Sequence, residues 1–255
     1  MEMNNQINET YDIMEVCLLA GKIMLQSGAE TYRVEDTMTR IARAFDVKES
    51  HSFVTPTVII LSIEGVDPTK TKLVRISERT TDLHKVTLVN SISRQISSGE
   101  LTIEQAYQSL REIEQSNVAF PFFVQILAAA FTSGCFLIMF DGEWRDFIPA
   151  FIAGGVGLFF VIYLHRLVPI KFFAEFTSSV IIGLLALLFV QIELGYELDK
   201  IIIGSVMPLV PGLLLTNAVR DLMAGHLMSG LAKSAEALLT AFAIGSGIAV
   251  VFMIF

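Results

Sequence analysis

From Met207 to His226 the chain reads Met-Pro-Leu-Val-Pro-Gly-Leu-Leu-Leu-Thr-Asn-Ala-Val-Arg-Asp-Leu-Met-Ala-Gly-His, and here its chemistry is densest. Pro208, Pro211 and Gly212 interrupt an otherwise apolar helical run, because proline lacks a backbone donor and clashes with the preceding turn. In hydrocarbon, backbone groups freed by such a break are tolerated only against protein or a water-filled cavity. Thr216, Asn217, Arg220 and Asp221 follow at once. The set suits a small solute. A broken membrane helix followed by such polar residues is how many secondary transporters make a substrate site. Asp221, Glu236 and His226 are the groups placed to carry a coupled proton, since ionisable side chains at membrane depth are costly and commonly functional. Spacing alone also allows a proline-kinked span that simply ends in a polar loop.

A second polar series, Arg75, Arg79, Asp82, Lys85, Asn90 and Arg94, enters and lines a helix, either to bind an anionic group or as its solvated face. His51, His84 and nearby serines invite a hydrolase reading. The sequence has no Gly-x-Ser-x-Gly elbow, no His-Glu-x-x-His and no Gly-rich phosphate loop to support one. With only Cys17 and Cys135, neither a disulfide framework nor a metal site is expected, and no cofactor motif is present. The net charge of −8 and the lack of a basic patch argue against nucleic acid.

Two regions must position these residues. Before Phe120 the sequence is mixed and holds 12 of the 18 lysines and arginines; beyond it apolar runs dominate. Ile13, Val16, Cys17, Ala20, Ile23 and Met24 recur at helical spacing, with Gly28 as a stop and Thr31 as a cap for the next helix. That helix carries Val34, Met38, Ile41, Ala42 and Phe45 on one face. Strand signals cover 51–55, 57–63 and 72–77, with Gly65-Val66-Asp67-Pro68 as a turn. Leu83 to Ile96 reads as a third helix, and Thr102 with Gln105 as a capping box opening a fourth, stapled by Leu101 against Ala106. The order predicts an α+β domain over residues 1–117.

Residues 118–255 read as an α-helical membrane bundle of about five spans, near 120–140, 147–164, 172–191, 198–215 (broken) and 235–255. No apolar leader opens the sequence, so the first domain is expected in the cytoplasm. The loops after the first and third spans are acidic, and Arg166, Lys171, Arg220 and Lys233 lie on the other side, which predicts the N-terminus inside and the C-terminus outside the plasma membrane. Arg220 and Asp221 are consecutive and do not face each other on a helix, so each needs its own partner. Lys171 with Glu175, and Lys233 with Glu236, are spaced to pair. Small residues recur four apart at Ala130/Gly134, Ala153/Gly157 and Ser179/Gly183, as ordinary bundle packing. The longest ladder, Ala237, Ala241, Gly245 and Ala249, is a candidate surface for another subunit.

Gly28-Ala-Glu-Thr-Tyr-Arg-Val-Glu-Asp36, Phe53-Val-Thr-Pro-Thr57, Arg79 with Asp82 and Asn90, and the block from Pro208 to Glu236 resemble the threonine/serine exporter family. Within it the similarity is to YjjP-like proteins, which correspond to the N-terminal half of the full-length exporter. The resemblance implies a cytoplasmic domain, a five-span bundle and efflux of threonine, serine or another small carboxylate-bearing solute. Dicarboxylate (succinate-type) export is the alternative. It further implies a YjjB-like membrane subunit as partner, besides membrane lipid.

Overall fold

The computed structural model describes residues 2–64, 69–116, 120–168, 170 and 172–254, with side chains from residue 10 onward. The expected turn at Gly65–Pro68, the Lys171 partner of Glu175, the boundary at 117–118 and Phe255 lie outside the described residues. The chain forms two compact units, one of Met1–Ala119 with Leu213–Ser234, the other of Phe120–Gly212 with Ala235–Phe255. The stretch 213–234, expected with the membrane bundle, thus packs with the first 119 residues.

In the first unit the elements are α1 (Glu2–Gln26), α2 (Thr31–Ala44), β1 (Glu49–Thr55), β2 (Val58–Glu64), β3 (Lys70–Arg75), α3 (Leu83–Ser97) and α4 (Ile103–Gln115). The sheet is antiparallel in the order β1-β2-β3, with Val54 opposite Ile59 and Ile59 opposite Val74. Alternation sets its buried face: Ile59, Leu61 and Ile63 point into the core. Val34, Met38 and Ile41 of α2 and Val86, Val89 and Ile96 of α3 join them at helical spacing, with Met14, Cys17 and Met24 of α1. Burial pushes the Cys17 thiol up to about 12, so it stays protonated as a small hydrophobe. The Thr102/Gln105 capping box forms as expected.

The second unit holds α5 (Phe122–Met139), α6 (Phe147–Leu167), α7 (Phe173–Gln191) and α8 (Leu198–Val206), then a 3-10 turn at Met207–Leu209. α9 (Gly212–Met223) and α10 (Leu227–Ile254) follow, each passing from one unit to the other along the chain. Among the described residues four helices are long and apolar enough to cross a membrane, and five if α8 and α9 make one bent span. The break falls where Pro208 and Pro211 put it. α10 begins at Leu227, eight residues before the span expected from Ala235.

Small residues let these helices close on one another. A side chain at Gly154 would strike Ser133, and one at Gly204 would strike the Ser133 carbonyl and Leu137. Gly157 admits Ile182, and Gly247 lies against the Phe176 carbonyl and Ser179. Asp146, fully buried, accepts from the Tyr196 and Glu197 N–H groups at 2.7 and 3.0 Å and so caps α8 from across the bundle. The ladder on α10 divides: Ala237 is buried, whereas Ala241, Gly245 and Ala249 face outward.

Candidate functional site

The turn between α1 and α2 explains why Gly28-Ala-Glu-Thr-Tyr-Arg33 is built as it is. α1 ends in a Schellman arrangement, with Ala29 N–H on the Met24 carbonyl and Gly28 at φ +87°, where glycine alone avoids strain. The N-cap of α2 is Glu30, whose side chain makes no cap bond. Thr31, expected to cap, is instead the first helical residue. Its backbone N–H and its hydroxyl donate to Asp221 Oδ1 and Oδ2, each at 2.9 Å. A carboxylate from α9 therefore caps α2, where the helix dipole favours negative charge.

Lys233 on α10 completes the arrangement. Its ammonium lies 2.7 Å from Asp221 Oδ2 and also donates to the Thr31 hydroxyl and the Ala29 carbonyl. Lys233 thus pairs with Asp221, not with the Glu236 that spacing offered. Asp221 and Thr31 are fully buried and Lys233 nearly so, and a buried ion pair is favourable only when its remaining valences are met. Here they are. Asn217 donates to the Gly28 carbonyl at 2.9 Å, and Arg220 reaches Glu30 at 2.6 Å. Glu30 also takes Arg33 at 3.1 Å. Burial alone would raise its carboxyl, but its own backbone N–H and the two guanidinium groups outweigh that and hold it below 4.5.

The third motif joins the same network. Val54 offers its N–H to Glu35 Oε1 at 2.9 Å and its carbonyl to the Ser229 hydroxyl at 3.0 Å. His226 Nδ1 stands 3.7 Å from that Glu35 oxygen. Burial pushes the Glu35 carboxyl above 4.5, with the Val54 N–H and His226 pulling back and the Asp221 charge adding to the rise. α9 and α10 meet at Gly225, φ +89°, and Gly230 lets them approach, since a side chain there would strike Leu222.

The remaining expected site residues are spread more widely. Pro208 lies in the 3-10 turn, Pro211 just after it, and Gly212 opens α9. The Thr216 hydroxyl donates to the Leu213 carbonyl. Glu236 is half-buried on α10, its carbonyl accepting from Thr240. The series on α3 does not converge. Asp82 caps α3 through Lys85 N–H, Lys85 Nζ binds the Glu114 carbonyl, Arg75 and Arg94 are exposed, and Arg79 and Asn90 are half-buried. His51 and His84 are exposed. Among the described residues, Glu49, His51 and Glu64 alone bring potential metal ligands together, within 4.8 Å on the exposed face of the sheet.

Thr31 had been read only as a cap, and Glu30, Glu35 and Ser229 carry no signal in periodicity. Lys233 and Asp221 had one, as opposite charges in apolar surroundings that each required a partner.

Comparison with known proteins identifies the family. The family model described as "Putative threonine/serine exporter" matches residues 15–255. "Probable succinate transporter subunit YjjP" of Klebsiella aerogenes is 27% identical over 246 residues, covering 94% of this chain and 93% of that protein. "Probable threonine/serine exporter" of Mycobacterium tuberculosis is 24% identical, covering 94% of this chain but 45% of its own length. For "Threonine/serine exporter" of Corynebacterium glutamicum the figures are 25%, 92% and 50%. The chain thus spans nearly all of YjjP and about half of the two exporters. No solved structure matches it. The match over residues 15–255 makes this chain a member of the threonine/serine exporter family, a membrane transporter protein and not an enzyme.

Proposed function

We propose that the chain is one subunit of a secondary transporter that exports threonine, serine or a closely similar amino acid across the cell membrane. The observation that carries this reading is the family match over residues 15–255, on a chain with four to five helices of spanning length and composition. The charge bias of the loops supports a cytoplasmic position for the unit of residues 1–119. A second membrane subunit, YjjB-like in kind, supplies the other half. Two observations support a partner: the relatives called transporter subunits, and the outward ladder Ala241, Gly245 and Ala249 on α10.

In this reading the break at Pro208 and Pro211 lets a separate half-helix, α9, begin at Gly212. The solute's carboxylate is received at the half-helix beginning at Gly212, near Thr216. Asn217, Arg220, Asp221 and Lys233 hold α9 and α10 against residues 28–31. Three donors meet at Asp221, so a proton there would displace one of them. The coupled proton is therefore assigned to His226 beside Glu35, with Glu236 farther along α10. Burial raises the Glu35 carboxyl above its ordinary value, which favours a proton held there beside His226.

Succinate export is the second reading, favoured by the name of the YjjP relatives. Cells loaded with labelled threonine, serine or succinate separate the two, with and without the chain and its complementary subunit. Chain-dependent efflux of threonine or serine is expected. Efflux of succinate alone selects the second reading, and no chain-dependent efflux of any of the three rejects both.

A further inference from the structure

In the unit of residues 120–212 and 235–255, one face of α7 carries Glu175, Ser178 and Ile182, spaced three and four apart. At the Ile182 end this face is closed. Ile182 is fully buried with Leu209 and Ile244, and Val161 and Val206 pack around them. Leu209 belongs to the 3-10 turn that breaks the helix at Pro208.

The other end is polar and unfinished. His165 Nε2 on α6 lies 3.2 Å from Glu175 Oε1. Among the described residues, Glu175 Oε2 is buried and has no hydrogen-bond partner. One turn along, Ser178 is fully buried, and its hydroxyl has none there either. Serines in apolar helices ordinarily fold back onto the carbonyl four residues earlier. Ser179 does so to Glu175 at 2.8 Å and Ser133 to Ala129 at 2.9 Å. A carboxylate in the first turn of a helix has a structural explanation in the dipole. That explanation covers neither the hidden oxygen nor the unpaired hydroxyl beside it.

We propose that Glu175 and Ser178 on α7, oriented by His165 on α6, form a binding site for the ammonium group of a zwitterionic amino acid. An ammonium has three donors and no acceptor, and the two unpaired oxygens are acceptors of the kind it needs, one of them a carboxylate. His165 takes the other carboxylate oxygen and leaves Oε2 for the ligand. A dicarboxylate brings no nitrogen donor to the site and sets like charge against Glu175. The assignment rests on the transporter reading above and narrows it to amine-bearing solutes.

The test is thermal unfolding of the purified full chain with threonine, with 3-hydroxybutyrate (threonine without its amine) and with succinate, for wild type, Glu175→Gln and Ser178→Ala. Threonine should protect wild type. Its apparent Kd should weaken about tenfold or more in Glu175→Gln and by a smaller factor in Ser178→Ala, because a charge-assisted bond is the stronger one. The other two solutes should protect little in any form. The site is overturned if folded variants bind threonine as wild type does, if 3-hydroxybutyrate or succinate protects as well as threonine, or if threonine never protects. Cellular efflux separates this from the transporter reading. Threonine export with unchanged half-saturation in both variants removes the site alone, and succinate-only export removes the site while leaving a transporter. Absence of any export removes the transporter reading, and the binding result then decides the site by itself.

Discussion

Asp221 receives a backbone N–H, a hydroxyl and an ammonium, and each of those donors is itself buried. Asp221→Asn keeps the shape but leaves Lys233 as a buried cation without its counter-ion. Unfolding of the purified chain should show a loss of about 3 kcal/mol, the scale for breaking one side of a buried pair. Pairing it with Lys233→Met should recover most of that loss, since no unpaired charge then remains; a double variant as unstable as the single one would show that the ion pair is not what the loss reports. Glu30 gives a pH signature. Its folded value is lowered, so its contribution is complete above its ordinary value of 4.5 and disappears as pH falls through the lower folded value. Glu30→Gln should therefore lessen the loss of stability below about pH 4.5 while costing stability at pH 7, as a pH series of denaturant melts would show. Sequence reached part of this. That Arg220 and Asp221 needed separate partners followed from helical geometry. Which partners could not follow, because Glu30 and Thr31 lie 190 residues away and are joined to them only by the fold.

At the scale of elements, the helix break and the βββ order were legible because proline chemistry and strand alternation are local. The start of α10 was not. Leu227 to Ser234 contains Ser229 and Lys233, which lower its apparent hydropathy, yet these are the two side chains that bind Val54, Ala29, Thr31 and Asp221. Polar residues buried in a shared network look like a loop until their partners are known. The ladder on the same helix was legible as a seam, but its inward and outward parts were not separable by spacing. Among the described residues, nothing outside its own stretch of helix lies within 4 Å of where a side chain at Gly245 would begin, whereas Gly247 has a carbonyl at 2.5 Å. Gly245→Leu should leave the chain's own melting temperature nearly unchanged and weaken co-purification of the second membrane subunit by about tenfold, as blocked close approach would do. An intact complex would move the partner surface elsewhere; a large drop in stability would mean that α10 packs by that face within the chain.

For the molecule as a whole, three of the four motifs that carry the family resemblance, 28–36, 53–57 and most of 208–236, meet in one unit. Gly28, Thr31 and Glu35 on one side and Asn217, Asp221 and His226 on the other meet in the unit that Leu213–Ser234 shares with the first 119 residues. By sequence the apolar runs begin after residue 117. The 22 residues Leu213–Ser234 nevertheless group with the first unit, where Arg220 meets Glu30 and Asp221 receives Thr31, while Asp221 pairs with Lys233 inside the stretch itself. The most direct measurement is solute flux in proteoliposomes holding the chain and its complementary membrane subunit, loaded with labelled threonine and subjected to an imposed pH gradient. The account predicts saturable threonine release that requires both subunits, rises with the gradient, and loses that dependence in His226→Ala. Release that is the same without the chain, or indifferent to the gradient in wild type, would contradict it.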